Sequence, residues 1–245
     1  MPETRPPASL DPAEVEKFAG LAADWWRPDG PFAALHRMNP VRLQFIREKA
    51  CAHFGVAGRR PFEGLNAVDL GCGGGLVSAP LARLGAFVTG VDAGAEAIGA
   101  ARAYAASAGL EIKFEQGTAE ALAESGAQFD LVTALEVIEH VADVTAFLGA
   151  AQTMTKPGGL IVLSTINRTP KARAFAIVGA EKILKWAPEG AHDYDKLVTP
   201  EEIRAAAGEI DWEAPTGLSY DALGRGWTLS RDIAVNYLVA GRKKK

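Results

Sequence analysis

Cysteine is scarce in the 245 residues: Cys51 and Cys72 are the only two, and Cys72 lies inside a run of glycines. Two thiols make no disulfide framework, and a reducing, cytoplasmic compartment is expected. Positive charge is not in excess either. Lys and Arg number 26 against 30 Asp and Glu, for a formal charge of −4. A nucleic-acid partner rewards a basic face, so none is expected. No apolar run approaches the ~20 residues that span a bilayer. The proline-rich start, 1–12, lacks the apolar core of a signal peptide. Internal repeats and low-complexity blocks are also missing.

What is there suits one substantial core. Hydrophobic residues make up 48% of the chain, and 1–245 is expected to form a single domain. Its expected parts are a disordered start (1–12), a helical cap (13–60) and a core (61–241) carrying an insertion at 167–190. In the cap, Val15, Phe18, Leu21, Ala22 and Trp25 recur at helical spacing after Asp11-Pro12. That predicts a helix over 13–26, broken by Trp25-Trp26-Arg27-Pro28-Asp29-Gly30. A second helix is predicted from Pro40 to Phe54.

From residue 65 short apolar strands alternate with helical stretches such as 94–107. The predicted strands are 65–70, 86–91, 111–115, 129–135 and 160–165, then 218–220 and 233–239. Residues 155–159 read as a turn feeding the fifth strand. Strands joined by crossover helices imply an α/β fold, a seven-stranded, mostly parallel sheet with helices on both faces. Ligands of such sheets bind beyond the carboxyl ends of the strands.

The first strand end carries Asp69-Leu70-Gly71-Cys72-Gly73-Gly74-Gly75-Leu76. Glycines at such a turn bring bare backbone N–H groups against a ligand. A dinucleotide fingerprint needs a third glycine at Leu76, so G-x-G-x-x-G fails and G-x-G-x-G fits. Asp69 would repel a pyrophosphate but attract the ammonium of an amino-acid-like group. Asp92 ends the second strand, where a carboxylate grips ribose hydroxyls. An amino acid at one end and a ribose at the other describe S-adenosylmethionine.

After the fourth strand comes Glu136-Val137-Ile138-Glu139-His140. On a helical turn, Glu136, Glu139 and His140 would share one face. Two carboxylates and an imidazole suit magnesium, manganese or zinc. Two other uses stay open: His140 as a general base, and acids that merely favour a helix N-terminus.

On these residues the chain resembles the class I S-adenosylmethionine-dependent methyltransferases, which are Rossmann-like. More narrowly it resembles the ubiquinone-biosynthesis O-methyltransferase family. The resemblance is carried by Trp25-Trp26, Leu35-His36-Arg37-Met38-Asn39-Pro40, the glycine loop and Glu136-Val137-Ile138-Glu139-His140. Later carriers are Ser164-Thr165-Ile166-Asn167-Arg168, Gly190-Ala191-His192-Asp193 and Asp232-Ile233-Ala234-Val235-Asn236-Tyr237. It implies cofactor contacts at Arg42, Gly71, Asp92 and Leu135, beside Asp69 and Gly73 of the loop itself. Leu135 stands where some relatives carry methionine, and stays apolar. It also implies a divalent metal on Glu136, Glu139 and His140, with Mg2+ foremost, and these three as the catalytic residues. The implied acceptors are polyprenyl catechol and demethylubiquinol, at the inner membrane and beside other ubiquinone-biosynthesis proteins.

Residues 167–190 bear on the membrane independently. They mix Phe175, Ile177, Val178, Ile183, Leu184 and Trp186 with Arg168, Lys171, Arg173, Lys182 and Lys185 against two acids, Glu181 and Glu189. Such a mixture suits an interfacial helix on anionic lipid, or a lid over the site. Methylation of another phenol or a carboxylate, and a non-catalytic cofactor-binding scaffold, are the competing expectations for function.

Overall fold

The computed structural model of the protein describes residues 9–174, 193–221 and 226–245. The cap contributes α1 (Pro12–Ala19), a 3-10 turn (Ala22–Asp24) and α2 (Ala33–Phe54). The core follows as β1 (Asn66–Leu70), α3 (Ser78–Arg83), β2 (Phe87–Asp92), α4 (Ala95–Ser107) and β3 (Ile112–Gln116). Next come α5 (Ala119–Glu124), β4 (Phe129–Leu135), a 3-10 turn (Ile138–His140), α6 (Val144–Met154) and β5 (Thr155–Ile166). The chain closes with the short α7 (Pro170–Ala172), α8 (Pro200–Ala206), β6 (Ile210–Trp212), β7 (Thr216–Asp221), β8 (Gly226–Ser230) and β9 (Asn236–Lys243).

The sheet order is β3-β2-β1-β4-β5-β9-β7-β8, with β6 pairing β9. Strands β1 to β5 pair in parallel, and the later ones are antiparallel. Parallel strands buried on both faces need near-continuous apolar runs, and period 2 then sorts them between the faces. Val68, Leu70, Val132, Ala134, Ile161 and Leu163 pack on one side with Phe147, Leu148 and Met154 of α6. Ala67, Leu131, Leu135, Leu160 and Val162 pack on the other with Met38, Phe45, Ile46 and Ala50 of α2. Strand order reverses between β1 and β4, which opens a crevice at their carboxyl ends.

Several expected bounds shift. The described residues hold nine strands rather than seven. Strand β6 has three residues and β8 has two apolar residues, Trp227 and Leu229, in five, so neither announces itself. Residues 155–159 belong to β5 as a bulge, because pairing jumps from Phe129↔Thr155 to Leu131↔Leu160. Strand β9 begins at Asn236 and runs on through Lys243, since backbone pairing to β5 and β6 continues past the apolar run. Helix α1 stops at Gly20, short of residue 26. Helix α2 starts at Ala33 and keeps Pro40 inside it. The proline removes one helical hydrogen bond, and the buried stripe Met38, Arg42, Phe45, Ile46, Ala50 holds the helix regardless.

The end of the expected disordered start is ordered. Ser9 is buried, and Asp11 caps α1 through the Ala13 and Glu14 N–H groups. Of the expected insertion at 167–190, residues 175–190 lie outside the described residues. No described helix is long and apolar enough to cross a membrane.

Candidate active site

Between β1 and α3 the chain turns through the glycine loop. Gly71, Gly73 and Gly75 take φ values of 64°, 52° and 88°. They are the three glycines of G-x-G-x-G, so the spacing records which residues must enter the left-handed region. Asp92 fastens this loop to the start of α4. Its Oδ2 accepts from Gly73 N at 2.8 Å and its Oδ1 from Gly94 N at 2.8 Å. Burial pushes the Asp92 carboxyl above its ordinary range, and these two bonds oppose the shift. A carboxylate oxygen can accept more than one bond, so Asp92 can still meet hydroxyls in the cavity it lines.

Asp69 is 2% exposed. Thr133, its register partner on β4, donates to Oδ1 at 3.0 Å, and Ser78 Oγ donates to Oδ2 at 2.6 Å. Burial pushes the Asp69 carboxyl up to about 6 against these bonds. Arg42 is equally buried; its Nη2 donates to Asn39 Oδ1 at 3.1 Å while its Nε has no partner. Burial lowers the Arg42 pKa, and the charges of Glu136, Asp69 and Glu139 oppose that. One buried guanidinium therefore balances a group of carboxylates.

The expected shared face of Glu136, Glu139 and His140 does not form. Glu136 takes φ 54°, the one positive value outside glycine among the described residues, and a 3-10 turn follows. A left-handed residue breaks the helical phase, so Glu136 stands outside the turn that carries Glu139 and His140, while the charges of Glu136 and His140 both act on Glu139. Glu136 accepts from Ser164 Oγ and lines the cavity. Glu139 is 3% exposed; its Oε2 accepts from Thr165 Oγ1 at 2.8 Å, and its Oε1 has no hydrogen-bond partner. Burial first, and Glu136 second, push its carboxyl up to about 7. His140 lies with Nδ1 3.0 Å from Glu14 Oε2 and meets the Phe18 ring edge-on at 5.2 Å. Among the described residues no group of three His, Cys, Asp or Glu side chains is arranged to hold a metal ion.

Asp69, Gly71, Asp92, Arg42, Leu135, Glu136 and His140 all border one cavity of about 920 Å³. Leu218, Trp227, Val235 and Asn236 line it too, from the antiparallel half of the sheet. Of the expected cofactor residues, Gly73 is the exception. The Trp25 ring covers it: a Cβ on Gly73 would lie 1.9 Å from Trp25 Cζ2. Beside it, Trp26 Nε1 donates to Gly74 O at 2.9 Å and the indole stacks on Tyr104. Gly73→Ala adds a clashing methyl at a left-handed residue, a conformation that costs about 1–2 kcal/mol. Tm should fall by several degrees, at about 2–4 °C per kcal/mol, with a red shift in tryptophan emission. Unchanged melting and emission would remove Trp25 from the loop.

Residues 68–163 match the methyltransferase domain family. Magnesium protoporphyrin IX methyltransferase from Synechocystis PCC 6803, solved with bound SAH, shares the fold at a TM-score of 0.65. It is 19% identical, over 94% of this chain and 97% of that one. A possible histamine N-methyltransferase from Thermotoga maritima gives 0.61 at 16% identity, over 94% and 100%. These structures share the fold of this chain, and residues 68–163 carry the methyltransferase domain match. The ubiquinone biosynthesis O-methyltransferase of Maricaulis maris is 51% identical over 245 residues, 99% of this chain and 96% of that relative. Its counterpart in Rhizobium etli is 48% identical over 240 residues, 96% and 97% of the two chains. The chain belongs to the ubiquinone biosynthesis O-methyltransferase family.

Proposed function

We propose that the enzyme moves the methyl group of S-adenosylmethionine onto a hydroxyl of polyprenyl catechol and demethylubiquinol intermediates. The carrying observation is the single cavity that joins Asp69 and Asp92 to Glu136, His140 and an apolar far wall. Asp69 faces the cofactor's ammonium, Asp92 its ribose, and Leu135 its adenine side. Arg42 holds the carboxylate group in charge balance, and the Gly71 backbone lets the cofactor approach.

Transfer is an in-line displacement. The acceptor oxygen forms the new O–CH3 bond, the S–CH3 bond breaks, and its electron pair stays on sulfur. The hydroxyl proton passes to His140, and alignment in the cavity supplies much of the acceleration.

A divalent cation, Mg2+ foremost, is the finer part of this reading. Two carboxylates and an imidazole are a suitable donor set, and Glu139 Oε1 is a buried oxygen without a hydrogen-bond partner. Glu136, Glu139 and His140 would hold the ion, which when bound acidifies and orients a catechol hydroxyl. Rigorous chelation with elemental analysis, then metal add-back, tests it. Activity that survives chelation rejects the cation and leaves His140 as a direct base.

Contact with an anionic inner-membrane surface through 167–190 is the other finer part, supported by the basic and apolar composition of that stretch. Flotation with anionic vesicles should be salt-sensitive, and protein that never floats refutes the contact.

Asp69 also gives the cofactor site a pH dependence. Its carboxyl titrates near 6 in the folded chain, above its ordinary 3.8. The ammonium is attracted only to the ionised form. Affinity for S-adenosylmethionine should therefore fall below pH 6, approaching tenfold per pH unit. Stability runs the opposite way, because a raised carboxylate pKa lets the folded chain bind the extra proton. That share of stability is full below about 3.8 and is lost as pH rises through 6. Titration calorimetry between pH 5 and 8 checks the affinity, and a flat profile would detach Asp69 from the cofactor.

A further inference from the structure

The described chain begins with a strap across the 3-10 turn that carries His140. Ser9 N donates to Glu120 Oε1 at 3.0 Å, and Ser9 O accepts from Ala142 N at 2.9 Å. Asp11 Oδ2 pairs with Lys196 Nζ at 2.8 Å. One helical turn on, Glu14 reaches His140 across 126 positions of sequence, with its Oε2 3.0 Å from Nδ1. Lys17 stands 3.5 Å from the same oxygen and Lys196 3.7 Å from Oε1, while Phe18 closes edge-on against the imidazole. Both partners are mostly shielded, with 18% and 16% of their side-chain surfaces exposed, and both line the cavity.

We propose that Glu14 is a positioning residue for methyl transfer: its carboxylate accepts the His140 Nδ1–H, holds that tautomer and turns Nε2 toward the acceptor hydroxyl. Which ring nitrogen carries the proton is set by the bond the other atom makes. A carboxylate behind an imidazole fixes its orientation and stabilises the imidazolium formed when Nε2 takes the proton. The same orientation serves Nε2 as a metal ligand, where a carboxylate behind the histidine is a recurring arrangement. The strap thus supplies part of the site: α1 completes the geometry that the 3-10 turn begins. The inference rests on the acceptor chemistry proposed above.

The test combines kinetics with nitrogen spectroscopy at fixed pH. In 15N-histidine-labelled protein, with His140 assigned by comparison with His140→Gln, the wild type should show the Nδ1–H tautomer. Glu14→Ala should lose that signature and lower kcat by about 10–100-fold, with both KM values within about threefold. Glu14→Met keeps the bulk of the side chain but offers no strong acceptor, and should show the same loss if the alanine variant does not fold. Asp11→Asn keeps the helix cap but weakens the pair with Lys196, and should leave kcat and the His140 spectrum near wild type. An unimpaired Glu14→Met, or an Asp11→Asn loss equal to that of Glu14→Ala, overturns the positioning role. Wild type that fails to methylate any catechol defeats the functional reading instead, so the two failures are distinguishable.

Discussion

His140→Ala should lower kcat by about 10²–10⁴-fold and leave affinity for S-adenosylmethionine within about twofold of wild type. His140 is the one histidine bordering the cavity among the described residues. Proton removal and metal ligation both pass through its ring, so either version of the chemistry predicts a large loss. The proposed cofactor end uses other groups, Asp69, Gly71 and Asp92, which the substitution leaves in place. Steady-state kinetics beside calorimetric titration separates the two effects. A kcat loss under about tenfold would take His140 out of the chemistry, and a matching loss of cofactor affinity would make its role structural.

Asp92→Ala should weaken cofactor binding by roughly 1.5–3 kcal/mol for each charge-assisted bond lost, which is about 10–150-fold in Kd. Two effects combine at this residue. The ribose hydroxyls lose their carboxylate, and the Gly73 and Gly94 N–H groups lose the anchor that ties the glycine loop to α4. The fold should survive, because Asp92 is not a core residue and burial already penalises its charge. Calorimetry with S-adenosylmethionine on a variant of near-native Tm decides it. Unchanged affinity would place the ribose elsewhere.

The parts of this molecule legible in sequence are those whose signal is local. Strands β1, β2 and β4 are apolar runs ending in a turn or a carboxylate, so their ends marked the crevice and Asp69, Asp92 and Leu135 fell beside it. Five parallel strands with intervening helices could be counted, whereas β6 and β8 are too short or too polar to register. Pro40 hid the first two turns of α2, because local chemistry disfavours what buried packing upholds. The turn after β4 misled for a similar reason. Spacing alone put Glu136, Glu139 and His140 on one helical face, whereas left-handed Glu136 leaves only Glu139 and His140 on the 3-10 turn. The cover over Gly73 and the pairing of Glu14 with His140 are long-range facts that no window of sequence contains.

The most direct test is a methyl-transfer assay with S-adenosylmethionine and three acceptors: a polyprenyl catechol, a demethylated quinol and a simple catechol without a tail. The account predicts methyl ether and demethylated cofactor in equal amounts from both long-tailed acceptors. It also predicts a higher kcat/KM for them than for the tail-free catechol, because Leu218 and Val235 give the cavity an apolar wall. Cofactor binding without methylation of any of the three would contradict it.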